Sequence, residues 1–440
     1  MVSVIEKYKA SLQSRYGEES AMTPENMPKK GVVSSGSLTF DYMLGTFGIP
    51  RDIVMELGGK PGVSKTTMSL SIINNVLNLE YERALKKARV EKALKNNRIN
   101  DEDYAIFDLA YRRQQEELHV FIGDGAEEKN KLVDDYPLTQ AEKDSVRTNK
   151  MRSALFLDLE GRFSPDWASR FIDKKFMESN LLVVRNDTME EATDVYRDMV
   201  KTRNFAVVVV DSIGGAPAKQ VVEKSSEKSS VGGNSVAVTN FSKFADNLSS
   251  KYTCLTICIN QVRDDMTGYR AYITPGGWGL KHACSVRVEL KRSTKEGWIF
   301  KDRIPGTTIE YECGFRVAAN LRKTSIGRKG IACDFIFYTN DCVYGKAGFD
   351  RVNELINLAV LSGQITKRGG WYSSNYFDDS RKRINGDRAL AKYLLSHQDI
   401  FDRLYEDMKT KLNSGKIEDA LSEFDETTGE RINTRTGEIE

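Results

Sequence analysis

The stretch Gly59-Lys60-Pro61-Gly62-Val63-Ser64-Lys65-Thr66 decides how this chain is read. It follows the apolar run Ile53-Val54-Met55-Glu56-Leu57 and precedes a long helical pattern that starts at Thr66. In the pattern G-x-x-x-x-G-K-[ST], a strand passes into a helix through backbone N–H groups that cradle phosphate oxygens. The lysine reaches the terminal phosphates and the hydroxyl ligates Mg²⁺. Here Ser64 stands where the glycine before the lysine is usual, and its Cβ narrows the backbone's choices. The loop alone leaves two outcomes open: it has adapted to the serine, or it is a turn that holds no phosphate.

Outward from the loop, Ala154-Leu155-Phe156-Leu157-Asp158-Leu159, Phe205-Ala206-Val207-Val208-Val209-Val210-Asp211 and Thr253-Cys254-Leu255-Thr256-Ile257-Cys258-Ile259-Asn260 are near-continuous apolar runs with polar ends. That is the pattern of parallel strands buried on both faces, whose carboxyl ends carry the chemistry. The segments 285–290 and 334–338 read as flanking β-structure, so the fold class is α/β. Asp211, at its strand end, is placed to hold the water shell of the Mg²⁺ that Thr66 ligates. Glu160, just past its strand, falls at the same sheet edge, where a carboxylate orients and polarises an attacking water. Gln261 follows Asn260; a neutral amide there can bond a γ-phosphate oxygen and lose that bond on hydrolysis.

Composition bounds the rest. The 440 residues are 29% charged and 40% hydrophobic with a net charge of +2, so any nucleic-acid binding must be local. No apolar run approaches the ~18 residues of a membrane span and no export signal is read, which makes the cytoplasm the expected site. Six cysteines without C-x-x-C pairs, and three histidines, read as reduced, packed thiols. Residues 1–30 read as a helix, with Val4, Tyr8 and Leu12 spaced by four, and a linker; 31–345 read as the core. A densely charged interruption at 81–150 reads as a solvated helical hairpin or partner surface, 346–415 as a small α/β lobe, and 416–440 as an acidic, mobile tail.

Two polar loops follow the catalytic strands, one after Asp211 and one after Gln261. Glycine-rich, basic and partly aromatic, they suit a phosphodiester backbone. The DNA-contact candidates are Gly232, Gly233, Asn234 and, further on, Lys243 from the first region, and Arg263, Gly276, Gly277 and Trp278 from the second.

Taken in order, these segments resemble the RecA-type DNA recombinases. Ser35-Gly36-Ser37-Leu38-Thr39-Phe40-Asp41-Tyr42-Met43-Leu44-Gly45 is similar to the segment that precedes that family's phosphate loop. Phe156 to Glu160, with Pro165 and Trp167, is similar to its catalytic-glutamate and adenine-stacking segment. Val209-Val210-Asp211-Ser212 resembles its Mg²⁺ strand, and Ile259-Asn260-Gln261-Val262-Arg263 its sensor strand. Thr274-Pro275-Gly276-Gly277 with Leu280-Lys281 resembles the end of its second DNA loop, and Gly370-Trp371-Tyr372-Ser373 its bacterial C-terminal lobe. The likeness covers nearly the whole chain except the insertion.

The resemblance implies a RecA-like phosphate-loop ATPase core, a mostly parallel central sheet flanked by helices. The N-terminal helix would dock on a neighbouring subunit in a helical filament with ATP at subunit junctions. It implies ATP contacts from Gly59, Pro61, Gly62, Val63, Ser64, Lys65, Thr66, Thr67 and Trp167, and catalysis by Lys65, Glu160 and Gln261. Thr66 and Asp211 would hold the metal. The family offers two cations two residues apart across the interface; here Ser325 occupies the second place, so Lys323 takes the catalytic role with Arg322 as its substitute on ATP. Ser64 points toward the phage-type (UvsX-like) branch, and hence toward a bacterial host cytoplasm. The activity implied is a DNA-dependent ATPase that pairs and exchanges homologous strands. Its partners would be single- and double-stranded DNA of any sequence, copies of itself, and single-strand-binding and mediator proteins, with no membrane. The rivals are a ring-forming helicase on the same core and a non-hydrolysing nucleotide-binding scaffold.

Overall fold

The computed structural model describes residues 3–17, 21–24, 27, 29–121, 125–219, 233–262, 277–292, 298–327, 331–378, 383–413, 432–433 and 438–439. The chain divides into two compact units, one formed by Met1–Gly31 with Leu85–Lys143 and the other by Val32–Ala84 with Asp144–Glu440. Among the described residues no helix is long and apolar enough to cross a membrane.

The larger unit is built on ten strands: β1 (Val54–Gly59), β2 (Ser153–Asp158), β3 (Leu181–Arg185), β4 (Phe205–Asp211), β5 (Leu255–Gln261), β6 (Val286–Arg292), β7 (Ile299–Arg303), β8 (Glu310–Thr324), β9 (Ala332–Tyr338) and β10 (Gly348–Phe349). Their order is β10-β9-β8-β6-β1-β5-β4-β2-β3, with β7 paired to β8. The six strands from β6 to β3 run parallel; β8, β9, β10 and β7 extend the sheet antiparallel. β1 is buried throughout, and β4 and β5 at all but their last residue, as the apolar runs require when both faces are covered.

One cover is the helix Met189–Lys201, capped by Thr188 Oγ1, which accepts from Glu191 N at 3.3 Å. It buries Met189, Ala192, Thr193, Tyr196 and Val200, one stripe at helical spacing. The helix Gly233–Tyr252 packs beside it through Ala237, Phe241 and Ala245. The buried Tyr196 hydroxyl lies 2.8 Å from Thr256 Oγ1 and 3.1 Å from Ser249 Oγ, so its polar end stays satisfied inside this apolar layer.

Residues 346–413 enclose a cluster that includes Leu355, Tyr372, Leu390, Leu394 and Leu404, and also takes in Leu38. Glu354 ties this lobe to the segment before the phosphate loop. It accepts from Ser37 Oγ at 2.7 Å, Leu38 N at 2.9 Å, Thr39 N at 3.1 Å and the Thr39 hydroxyl. Burial raises its carboxyl pKa while these four donors work to lower it. Glu354→Ala strands two amides and two hydroxyls, and is expected to cost about 2–4 kcal/mol, read as a lower urea midpoint.

The smaller unit differs from the solvated hairpin expected at 81–150. The helix Lys65–Lys95 runs through residue 81 without a break, followed by helices Asp101–Arg112, Ala126–Asp134 and Gln140–Asn149. Within the unit, Val90, Ala93, Phe107, Leu118, Val120 and Val133 form a buried cluster. Ion pairs Lys86–Asp134 and Lys92–Glu142, both at 2.9 Å, lie outside it. The charge density hid this core because its members are spread over three helices and the segment that holds Leu118 and Val120, each time among charged neighbours. The helix Val4–Tyr16 buries none of its residues; Val4, Tyr8 and Leu12 are exposed. Apart from the short pairing of Ile432–Asn433 with Glu438–Ile439, the acidic tail from residue 416 lies outside the described residues.

Candidate nucleotide site

The phosphate loop leaves β1 at Gly59, where no side chain fits: a Cβ would stand 2.7 Å from Leu290 O and 2.7 Å from Val63 Cγ2. Two residues of the loop take left-handed backbone, Gly62 at φ +80° and Ser64 at φ +62°. Ser64 is thus held in the conformation that glycine usually supplies. That region costs an L-residue about 1–2 kcal/mol, part of which glycine forfeits through its larger unfolded-state freedom. Ser64→Gly is thus expected to add roughly 0.5 kcal/mol of stability, read by thermal unfolding, with nucleotide affinity equal or better. Loss of affinity would instead assign the hydroxyl a role of its own.

The strand order sets β1, β5, β4 and β2 side by side, so the residues after their carboxyl ends share one edge. Gly59 pairs in register with Gln261, and Asp158 with Asp211. A cavity of about 320 Å³ opens there, lined on its polar side by Pro61, Gly62, Lys65, Thr66, Glu160, Arg162, Asp211 and Gln261. Thr66 Oγ1 donates to Asp211 Oδ2 at 2.6 Å, and Lys65 Nζ donates to Gly59 O at 2.8 Å and Lys60 O at 2.9 Å. Gln261 Nε2 donates to Glu160 Oε1 at 2.8 Å, Ser212 Oγ donates to the same oxygen, and Arg162 Nη1 lies 3.2 Å from Glu160 Oε2. Gly215 backs the glutamate closely; a Cβ there would meet Glu160 Cγ at 2.8 Å.

Burial lowers the Lys65 pKa against the pull of Asp211 and Glu160. Burial pushes Asp211 up to about 6, the Thr66 hydroxyl bond opposes it, and the charges of Glu160 and Asp158 add to it. Buried titratable groups set against one another in a cleft are the arrangement expected of a functional site. The Thr66 hydroxyl beside a carboxylate is an oxygen donor set of the kind Mg²⁺ takes, and the residues present fit that ion.

The apolar wall is Leu70, Phe156, Phe163 and Trp167. Ser164 caps the turn that carries the indole, accepting from Trp167 N at 3.3 Å. Phe171 packs on Trp167 at 5.6 Å between centroids, and the Arg170 guanidinium lies 4.7 Å from the Trp167 ring centroid while donating to Asn340 Oδ1. The size suits a small ligand with one flat end and one charged end.

Of the loop residues expected to meet nucleotide, Pro61, Gly62, Lys65 and Thr66 line the cavity, whereas Val63 and Thr67 are buried behind it with Gly59 and Ser64 shaping the turn. Arg322 and Lys323 do not line it. Arg322 pairs with Glu289, and Lys323 Nζ donates to Lys281 O at 2.8 Å and His282 O at 2.9 Å. Among the DNA candidates, Gly232, Arg263 and Gly276 lie outside the described residues. Gly277 opens the helix Gly277–Ala283 at φ +60°, and Trp278 is 68% exposed with Lys281 Nζ 5.3 Å from its ring centroid. Gly233 opens the helix Gly233–Tyr252; Asn234 Oδ1 accepts from Ala218 N at 2.7 Å, and Lys243 is exposed on that helix. Sequence reasoning missed Arg162, Phe163, Ser212 and Gly215; each lies within four residues of Glu160 or Asp211, and that proximity was the available signal.

A strand-loop-helix of phosphate-loop pattern at the edge of a mostly parallel, helix-flanked sheet defines the class: an α/β fold. The RecA N-terminal domain family matches residues 141–320. Protein RecA of Chloroherpeton thalassium is 24% identical over 414 residues, 93% of this chain and 89% of its own. Protein RecA of Rippkaea orientalis is 27% identical over 285 residues, covering 63% and 74%, and that of Lactococcus lactis subsp. cremoris 26% over 327 residues, covering 71% and 78%. These matches make the chain similar to RecA proteins over most of its length, with the family model itself confined to residues 141–320. A solved structure, the crystal structure of the RadB recombinase, aligns at 16% identity with a TM-score of 0.39 over 70% of this chain and 96% of that one.

Proposed function

We propose that this protein is an ATP-dependent DNA recombinase that assembles as helical filaments on single-stranded DNA and catalyses homologous pairing and strand exchange. The observation that carries the reading is the gathering of Lys65, Thr66, Glu160, Asp211 and Gln261 at one sheet edge, with both candidate DNA loops springing from strands of that edge. Ser64 favours the phage-type branch.

In this reading Lys65 turns from its two loop carbonyls to the β- and γ-phosphates. Thr66 and Asp211 hold Mg²⁺, which neutralises phosphate charge when bound. Glu160, oriented by Ser212 and backed by Gly215, positions the attacking water and takes its proton. Gln261 exchanges Glu160 for the γ-phosphate, and its displacement carries the nucleotide state into the loop that follows it. Trp278, with the Lys281 cation over its ring, offers bases a stacking surface at the far end of that loop. Lys323 and Arg322 reach the nucleotide of a neighbouring copy, and single-strand-binding and mediator proteins assist loading in the cytoplasm. The exposed apolar residues of the helix Val4–Tyr16 supply the contact between copies.

Electron microscopy of the full chain with ATP and single-stranded DNA tests the reading. Extended helical filaments are expected; closed six-membered rings without filaments would replace it with a ring helicase.

A further inference from the structure

We propose that Arg162 is an additional γ-phosphate cation of this site, supplied by the same chain that binds the nucleotide, and that it keeps Glu160 occupied until a triphosphate arrives. The inference rests on the nucleotide-hydrolysing reading above and adds a catalytic residue to it.

Among the described residues, the charged groups lining the cavity are Lys65, Arg162, Glu160 and Asp211. Lys65 is the other cation, and as the loop lysine it is committed to the phosphates at the helix N-terminus. The two cations expected from the sequence, Arg322 and Lys323, are held within their own chain by Glu289 and by two backbone carbonyls. Arg162 is differently placed. Its backbone is pinned: the buried carboxylate of Asp158 accepts from Arg162 N and Phe163 N, both at 3.0 Å, and pairs with Arg185 at 3.3 Å. Its side chain is 81% exposed, and its ion pair is with Glu160. A fixed Cα under a solvated, mobile guanidinium is what a residue needs to exchange one anion for another.

The exchange has a direction. A solvent-screened ion pair to a single carboxylate is weak, whereas a γ-phosphate offers more charge and a geometry that a guanidinium can meet with two donors. When Arg162 turns to the phosphate it uncovers Glu160 Oε2 on the side that opens to water. Ser212 still holds Oε1 after Gln261 has turned to the γ-phosphate, so the freed Oε2 is the oxygen available as base. In the reaction, a bond forms from water oxygen to the γ-phosphorus as the bond to the β–γ bridging oxygen breaks. The water proton passes to Glu160, ADP and inorganic phosphate leave, and Arg162 offsets charge on the equatorial oxygens. A diphosphate lacks the γ-phosphate to which Arg162 turns, so the residue separates ATP from ADP.

The test compares wild type, Arg162→Ala and Arg162→Lys as full chains, measuring ATP turnover and the affinities for fluorescent ADP and a fluorescent, slowly hydrolysed ATP analogue. The expected result is a kcat at least about 100-fold lower in Arg162→Ala, the scale of losing a phosphate-directed arginine. Affinity for the triphosphate should fall while that for ADP is unchanged, and Arg162→Lys should recover part of both losses as a point charge. Unchanged or raised turnover in Arg162→Ala would overturn the proposal, since Arg162 would then only mask Glu160. Equal losses of ADP and triphosphate affinity would also overturn it, by making the residue structural. A wild type that neither binds nor hydrolyses ATP would overturn the parent reading itself, which these variant-specific outcomes do not.

Discussion

Lys65→Ala should abolish measurable ATP turnover, with kcat falling on the order of 10² to 10³ or more. The ammonium sits inside the loop, 8% exposed, with two carbonyls at 2.8 and 2.9 Å as its partners and two carboxylates, Asp211 and Glu160, acting on it through space. Without it, a triphosphate would face those carboxylates with one compensating charge fewer at its terminal phosphates, so binding weakens as well as chemistry. The fold should survive, because Gly59 O keeps the bond it accepts from Val262 N at 3.2 Å and Lys60, exposed in the loop, can turn its carbonyl to water. Phosphate release and ADP affinity, measured on the same preparation, separate these effects; turnover within tenfold of wild type would remove Lys65 from the mechanism.

Glu160→Gln should do something different: bind ATP and DNA, yet turn over on the order of 10² to 10⁴ more slowly. The amide matches the carboxylate in shape, so its oxygen can still accept from Gln261 Nε2 and the Ser212 hydroxyl, and the close packing against Gly215 is kept. What is lost is the base and the ion pair with Arg162. Filaments formed with ATP should therefore persist, and disassembly should slow in step with phosphate release. A variant that failed to bind ATP at all would make Glu160 a structural residue.

The phosphate loop was readable because its backbone demands, a strand, a tight turn and a helix N-terminus, restrict residue type at fixed spacing. Asp211 and Gln261 were readable because each closes an apolar run, and sheet topology brings such ends together. The left-handed backbone of Ser64 was not, since the alternative of a loop without phosphate had the same letters. Glu354 and Ser37 are 317 residues apart, and nothing local in either announces the other. Arg162 is one exposed arginine among many until its distance to Glu160 is known. The core of the smaller unit was masked because Val133 lies in a helix whose other residues are mostly charged and Phe107 in one that opens on three acidic residues.

The measurement that bears most directly on the account is the rate of phosphate release from ATP and Mg²⁺ by the full chain, with and without single-stranded DNA. The account predicts turnover that rises on adding DNA of any sequence and declines as salt increases, because the site and the loops share Gln261 and the DNA contact is to phosphates. Wild-type protein that binds ATP but shows no turnover in either condition would contradict it, and would make this edge of the sheet a nucleotide-binding scaffold.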